Sequence, residues 1–380
     1  MNPVNEYLGP FLERAFGPLV EAGYVRVAYG GADGGAWLCD HPLVEEIHVT
    51  GSARTHDAIV FGAGPEGEAR RLRDEPRNPR RVTSELGNVS PTIVVPGPWT
   101  AADLRFQAAQ VATQKMHNGG FNCIAAQVLV LPETWEKSQA LVDEVKRTLR
   151  ALPNRKAYYP GAADRQRNAV AAHPDADLLD APGEGVPRTV VAVAGDRRDD
   201  FCFREEAFGG VLTVTRLPGG SARAFLENAV AFCNEALWGT LGANILVHPS
   251  TRTELGPAFE DALAALRYGC ITVNGWTGIG FLVAQTSWGA FPGHARNDIR
   301  SGQGVVHNSR LFDRPEKSVV TAPFYPFPRG LLHGQTALLP KPPWFVTNTR
   351  AHDVMRKLTL FEASPGPLKL PGIFLSALRG

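Results

Sequence analysis

The chain has 380 residues, 44% of them hydrophobic, and its 39 basic and 38 acidic side chains leave a formal charge of +1. That length can bury the cores of two domains, while the charge balance and the absence of a basic run interleaved with aromatics exclude a general nucleic-acid binder. Five cysteines at 39, 123, 202, 233 and 270, without a CxxC pair or histidines at ligand spacing, point to a reducing cytoplasm and no structural metal; no basic-then-apolar leader and no long apolar window predict neither secretion nor a membrane span.

Leu8, Phe11, Leu12, Ala15, Phe16 and Leu19 recur at three and four, predicting an amphipathic helix over about 5–21, closed near Gly23. Residues 25–29 read as a strand, 36–39 as a short helical piece and 47–49 as a buried strand. Ser52 is then placed to cap a helix over about 53–62, where a phosphate would meet free backbone N–H groups and the positive end of the helix dipole. Simple capping is the commoner reason for a serine at this place. Residues 64–80, rich in Gly, Pro, Glu and Arg, predict an exposed loop, and a short strand over 81–84 leads into Glu85-Leu86-Gly87-Asn88.

Thr100 and Asp103 predict a capped helix running to Met116, with Leu104, Ala108, Val111 and Ala112 on its core face. The loop Asn118-Gly119-Gly120-Phe121-Asn122-Cys123 follows, before a strand over 127–131. A helix over 134–152 and a strand over 188–194 come next, then strand, helix and strand over 239–248, 250–268 and 270–274. Alternation of this kind predicts an α/β fold with a parallel, doubly wound sheet. Beyond residue 326 the chain turns proline-rich and irregular, with one helix over 351–361.

Two residues carry chemical promise. Cys123 follows two glycines and two amide side chains that let a substrate approach, and a thiolate is a strong nucleophile. Glu85, on another glycine-marked turn, is a candidate base, since catalytic partners meet in the fold and not in the chain. A lone cysteine is more often a small buried hydrophobe, and the plain reading of Glu85 is a solvated turn carboxylate. His117, six positions before Cys123, invites a Cys-His reading, but no third-member signature accompanies it.

The succession Thr50-Gly51-Ser52, Glu85-Leu86-Gly87-Asn88-Val89-Ser90-Pro91, Asn118 through Cys123 and Glu205-Glu206-Ala207-Phe208-Gly209 resembles the NAD(P)-dependent aldehyde dehydrogenase superfamily, in order and in spacing. Weaker matches at Gly269–Asn274 and Lys317–Val320 extend the resemblance over about residues 2–326. Asn88 and Gly210 depart from it, standing where the family has a glycine and a proline. The resemblance implies an aldehyde-dehydrogenase-like fold: a partial Rossmann-type cofactor domain (1–86), an α/β catalytic domain (87–292), a return to the cofactor and oligomerisation region (293–326) and an irregular tail (327–380). It also implies a homo-oligomer and NAD or NADP as cofactor. Cys123 would be the nucleophile that forms a thiohemiacetal with an aldehyde, and Glu85 the base that activates water to hydrolyse the thioester. Gly51 and Ser52 would hold the dinucleotide phosphates, Glu206 the nicotinamide ribose, and Phe208 would flank the nicotinamide. Trp276, Phe281, Trp288 and Phe291 fall where the family lines the substrate entrance.

The family's first cofactor-domain strands, a Pro-Trp-Asn motif whose asparagine completes the oxyanion hole, and a lysine for the adenosine ribose have no match here. An N-terminally incomplete member, with apolar surface exposed and activity impaired, is therefore expected. Two alternatives remain open: a CoA-linked acylating relative, against which Glu85 argues, and a non-catalytic binding or assembly module.

Overall fold

The computed structural model describes residues 5–179, 185–337 and 339–380. Its strands in chain order are β1 (Glu46–Thr50), β2 (Arg81–Glu85), β3 (Ser90–Val94), β4 (Ala126–Pro132), β5 (Asp177–Leu179), β6 (Arg188–Ala192), β7 (Val211–Leu217), β8 (Gly242–Leu246), β9 (Cys270–Val273), β10 (Trp288–Gly289), β11 (Gly302–Gln303), β12 (Val305–Val306) and β13 (Ser318–Thr321). Eight of these form one sheet in the order β13-β9-β8-β3-β4-β7-β6-β5, with every neighbour parallel except β5 against β6.

Helices cover both faces of this sheet, so its central strands are apolar on both sides. Val128 and Val130 of β4 point into the core formed with Phe225 and Phe232 of the helix Ala222–Ala236. Leu129 and Leu131 alternate to the opposite face and pack with Val111 of Ala101–Met116 and Val145 of Ser138–Ala151. A smaller sheet, β1-β2-β11, stands beside the large one and has β2 at its centre. β1 is its outer strand and alternates exposed with half-buried residues.

Several local expectations change. The helix expected over 5–21 is interrupted: Asn5–Ala15 ends, and Gly17–Glu21 restarts with Pro18 in its first turn, where a missing N–H costs nothing. Residues 25–29 form no strand; a pleated segment needs a partner ladder, and none reaches it among the described residues. The loop expected over 64–80 contains the helix Gly64–Leu72, started by Pro65 and supported on its surface by Glu66–Arg70 and Glu68–Arg71 pairs. The helix expected over 250–268 divides at Gly256, whose φ of +50° suits glycine.

The tail is more ordered than its prolines suggest. Helices Ala351–Ala363 and Leu370–Ala377 are tied together by Lys357, which bonds to Asp353 and Ser376. Ahead of them, Phe345 stacks on Phe106 at 5.4 Å, and the Val346 N–H donates to Thr113 Oγ1 at 3.1 Å. The tail therefore lies along the helix that leads to Cys123.

Candidate active site

Parallel pairing explains why residues far apart in the chain meet. Asn88 precedes β3, Cys123 precedes β4 and Phe208 precedes β7, and these strands are neighbours in the order β3-β4-β7. Their incoming loops are consequently adjacent at the amino ends of the strands. The small sheet closes the group from the side: Thr50 and Gly302 both stand in register with Glu85, and the Gly51 N–H donates to the Glu85 carbonyl at 3.2 Å.

The turn after Glu85 is held by Ser301. The Leu86 N–H donates to the Ser301 carbonyl at 2.9 Å, and Ser301 Oγ donates to the Gly87 carbonyl at 2.8 Å. Gly302, at φ +116°, lies against β2 so closely that a Cβ there would sit 2.0 Å from the Ser84 carbonyl oxygen. Glu85 is thus fixed at the joint of the two sheets.

Cys123 is half-buried and packs against the small apolar cluster that contains Ile124, Leu241, Cys270, Trp276 and Trp288. Its thiol and the Glu85 carboxyl lie near enough to perturb one another, although Glu85 Oε1 is buried without a hydrogen-bond partner among the described residues. Burial pushes the Glu85 pKa up, opposed by the Cys123 thiol and the Trp288 indole. Burial raises the Cys123 pKa as well, and the neighbouring Glu85 charge raises it further. Burial thus favours the neutral form of each group, so it is the ionised fraction of Glu85 that can take the thiol proton.

Glu206 meets the same turn from the other side. Its carboxyl accepts from the Asn88 backbone N–H, and a Cβ on Gly87 would lie 2.1 Å from Glu206 Oε2, so only glycine admits this approach. Burial raises its pKa from 4.5 to about 8 against the pull of Lys115 and Arg165, and its Oε1 is buried without a partner among the described residues. Arg165 also donates to the Phe208 carbonyl at 3.1 Å, which fixes the backbone after Glu206. Phe208 packs 4.8 Å from Tyr159 and 5.7 Å from Phe121.

Ser52 caps the helix Ala53–Val60, its Oγ accepting from the Thr55 N–H at 3.1 Å, and Gly51 and Ser52 are both exposed. The residues present suit a dinucleotide. An exposed helix terminus can take its phosphates, and the orphaned Glu206 Oε1 can accept from a ribose hydroxyl.

His117 does not pair with the thiol: its ring lies on Trp276 at 4.7 Å, and burial lowers its pKa, followed by the charge of Arg155. Phe281 packs on Trp288 at 5.3 Å, but Phe291 lies over the Lys317 ammonium instead. Lys115, which no motif marks, is wholly buried, donates to Gln127 at 3.3 Å and has its pKa lowered by burial from 10.5 to about 7. Its only sequence signal is a cation in the last turn of a helix whose preceding run, Phe106 to Gln114, carries no charge. His173, Asp200 and Cys202 also converge within 4.8 Å, but the Asp200 carboxylate is engaged as the cap of Phe201–Arg204 and by His173 and Arg197.

Loops gathered at the ends of parallel strands, with a thiol and a carboxyl at the joint of two sheets, define a doubly wound α/β protein with a composite site. The chain belongs to the aldehyde dehydrogenase family, whose model matches residues 8–282. It is 26% identical over 261 residues to the human cytosolic 10-formyltetrahydrofolate dehydrogenase, an alignment covering 64% of this chain and 27% of that protein. Among solved structures it resembles gamma-glutamyl-gamma-aminobutyraldehyde dehydrogenase from Burkholderia cenocepacia (TM-score 0.56, 22% identity, 75% of this chain and 54% of that one). It also resembles the NADP-dependent glyceraldehyde-3-phosphate dehydrogenase from Bacillus halodurans complexed with NADP (TM-score 0.55, 20% identity, 74% and 53%). The chain thus spans about half the length of these structures, and the likeness to them is one of fold. No described helix is long and apolar enough to cross a membrane.

Proposed function

We propose that this protein oxidises an aldehyde to a carboxylic acid with NAD or NADP, using Cys123 as nucleophile and Glu85 as general base. The observation that carries this reading is the meeting of the Glu85 and Cys123 side chains at a joint that Gly51 and Glu206 also reach. Gly51 and Ser52 would hold the cofactor's phosphates, Glu206 its nicotinamide ribose, and Phe208 would flank the ring. Residues 1–86 and 293–326 would serve the cofactor side, and 87–292 the thiol side.

Glu85, its proton affinity raised by burial, takes the Cys123 proton, and the sulfur attacks the aldehyde carbonyl to form a thiohemiacetal. The nicotinamide, when bound, supplies the two-electron acceptor. Oxidation leaves an acyl thioester on Cys123. Glu85, having passed the thiol proton to solvent, then removes a proton from water, which attacks the thioester carbonyl; the C–S bond breaks, releasing the acid and returning the thiolate. The Cys123 backbone N–H is a candidate oxyanion donor.

The test is NADH or NADPH formation by the purified chain with several aldehydes, beside Cys123→Ser and Glu85→Gln. Cys123→Ser should abolish turnover, and Glu85→Gln should slow acid formation about 100-fold or more. Turnover persisting in Cys123→Ser would refute the nucleophile, and, with coenzyme A added, acyl-CoA in place of free acid would refute hydrolysis.

A further inference from the structure

The tail ends on an apolar surface that takes no part in the site around Cys123. In the helix Leu370–Ala377 one face, formed by Ile373, Ser376 and Ala377, is buried, and Ser376 bonds to Asp353 and Lys357 of Ala351–Ala363. The opposite face meets solvent although it is apolar: Leu370, Phe374 and Leu378 recur every four residues, and Phe374 and the adjoining Leu375 are 47% and 56% exposed. Leu368, just before the helix, is 94% exposed, and Met355 and Leu360 of the neighbouring helix are exposed as well.

The charge of this region is one-sided. Residues 341–380 carry six lysines and arginines against two acids, in a chain whose formal charge is +1. Lys369 and Arg379 stand at the two ends of the helix, and Arg356 lies one turn before Leu360; among the described residues neither arginine has an ion-pair partner, and one of the two acids, Asp353, is held by Lys357. A helix that shows leucine and phenylalanine to solvent between cations has the pattern of one lying in the plane of a membrane interface, with its apolar side chains among acyl chains and its cations among anionic headgroups. Its eight residues span about 12 Å, well short of the roughly 30 Å hydrocarbon layer, so it would lie on a bilayer and not cross it. Charge separates this surface from the other exposed apolar one. Residues 5–50 expose Tyr7, Phe11 and Trp37, yet they carry seven acids against two arginines, which an anionic surface repels.

We propose that the helix Leu370–Ala377 is a reversible anchor for anionic lipid membranes, inserting Leu370, Phe374, Leu375 and Leu378 and laying Arg356, Lys369 and Arg379 on the headgroups. The anchor is independent of the thiol chemistry proposed above.

The test is co-sedimentation of the full chain with vesicles of equal parts phosphatidylglycerol and phosphatidylcholine, beside vesicles of phosphatidylcholine alone. The partition coefficient on the mixed vesicles should exceed that on the neutral ones by about tenfold or more, and should fall as salt rises from about 0.05 M to about 0.5 M. The triple variant Phe374→Ser, Leu375→Ser, Leu378→Ser changes exposed side chains only, so it should keep the parent's Tm while losing binding about tenfold or more. Arg356→Gln with Arg379→Gln should lose about tenfold on the mixed vesicles and little on the neutral ones. Phe11→Ser with Leu12→Ser, at the acidic apolar surface, should leave both coefficients unchanged. Absence of binding by the parent, binding that survives the triple variant, or equal affinity for the two kinds of vesicle would overturn the proposal. So would a parent that ignores vesicles and self-associates by light scattering while the triple variant is monomeric, because the face would then belong to a second copy.

Discussion

At the scale of single residues, the decisive feature is where protons are held. Glu206 has its pKa raised from 4.5 to about 8, first by burial, so the folded chain binds a proton there more tightly than the unfolded chain does. The stability this contributes is complete below 4.5 and is lost as pH rises through about 8. Lys115 has the opposite sign: its pKa falls from 10.5 to about 7, so its contribution is present above 10.5 and is lost as pH falls through about 7. Replacing the Glu206 carboxyl by an amide removes a group whose ionisation costs stability only at high pH, so Glu206→Gln is favoured more at high pH than at low. The variant should therefore gain Tm relative to the parent at pH 9 and gain less, or lose, at pH 6. A Tm difference independent of pH would contradict the buried-acid account.

At the scale of elements, the glycine turn and the tail do distinct work. Gly87 lets the Glu206 carboxyl lie on the turn after β2, and a Cβ there would meet Oε2 at 2.1 Å. Gly87→Ala should displace that carboxyl from the Asn88 N–H and weaken NAD binding about tenfold, measured as a Kd, because its hydrogen bond to the ribose is lost. Unchanged affinity would separate Glu206 from the cofactor. The tail is anchored by Phe345, which is 3% exposed against Phe106. Phe345→Ala should cost about 3 kcal/mol, read as a lowered denaturation midpoint, as for other buried aromatic deletions. No shift would mean that the tail unfolds separately from the helix it lies along.

At the scale of the whole molecule, legibility followed the range of the forces involved. The alternation of Val128, Leu129, Val130 and Leu131 announces a strand buried on both faces, and the Thr100–Asp103 capping box announces its helix; both are written locally. The order of the glycine-marked motifs pointed to Glu85, Cys123, Glu206 and Phe208 as companions, and their loops do share neighbouring strand ends. Lys115 was not legible, because a buried cation differs from a solvated one only through tertiary surroundings. The seating of the tail was hidden for the same reason: a run of prolines and aromatics says nothing about which helix it will lie on. The two-residue strand β11 pairs with Glu85 through a register that no periodicity of two residues can signal.

The central claim is that the sulfur of Cys123 and the carboxyl of Glu85 act on one substrate atom in succession. Its most direct measurement is intact-protein and peptide mass spectrometry of Glu85→Gln after incubation with aldehyde and NAD or NADP. The account predicts an acyl group that forms slowly on Cys123 and then persists, because without Glu85 the thiol loses its proton only to solvent and the thioester lacks the carboxylate that activates water. An acyl group on another cysteine, or a stable thioester in the parent chain but none in the variant, would contradict it.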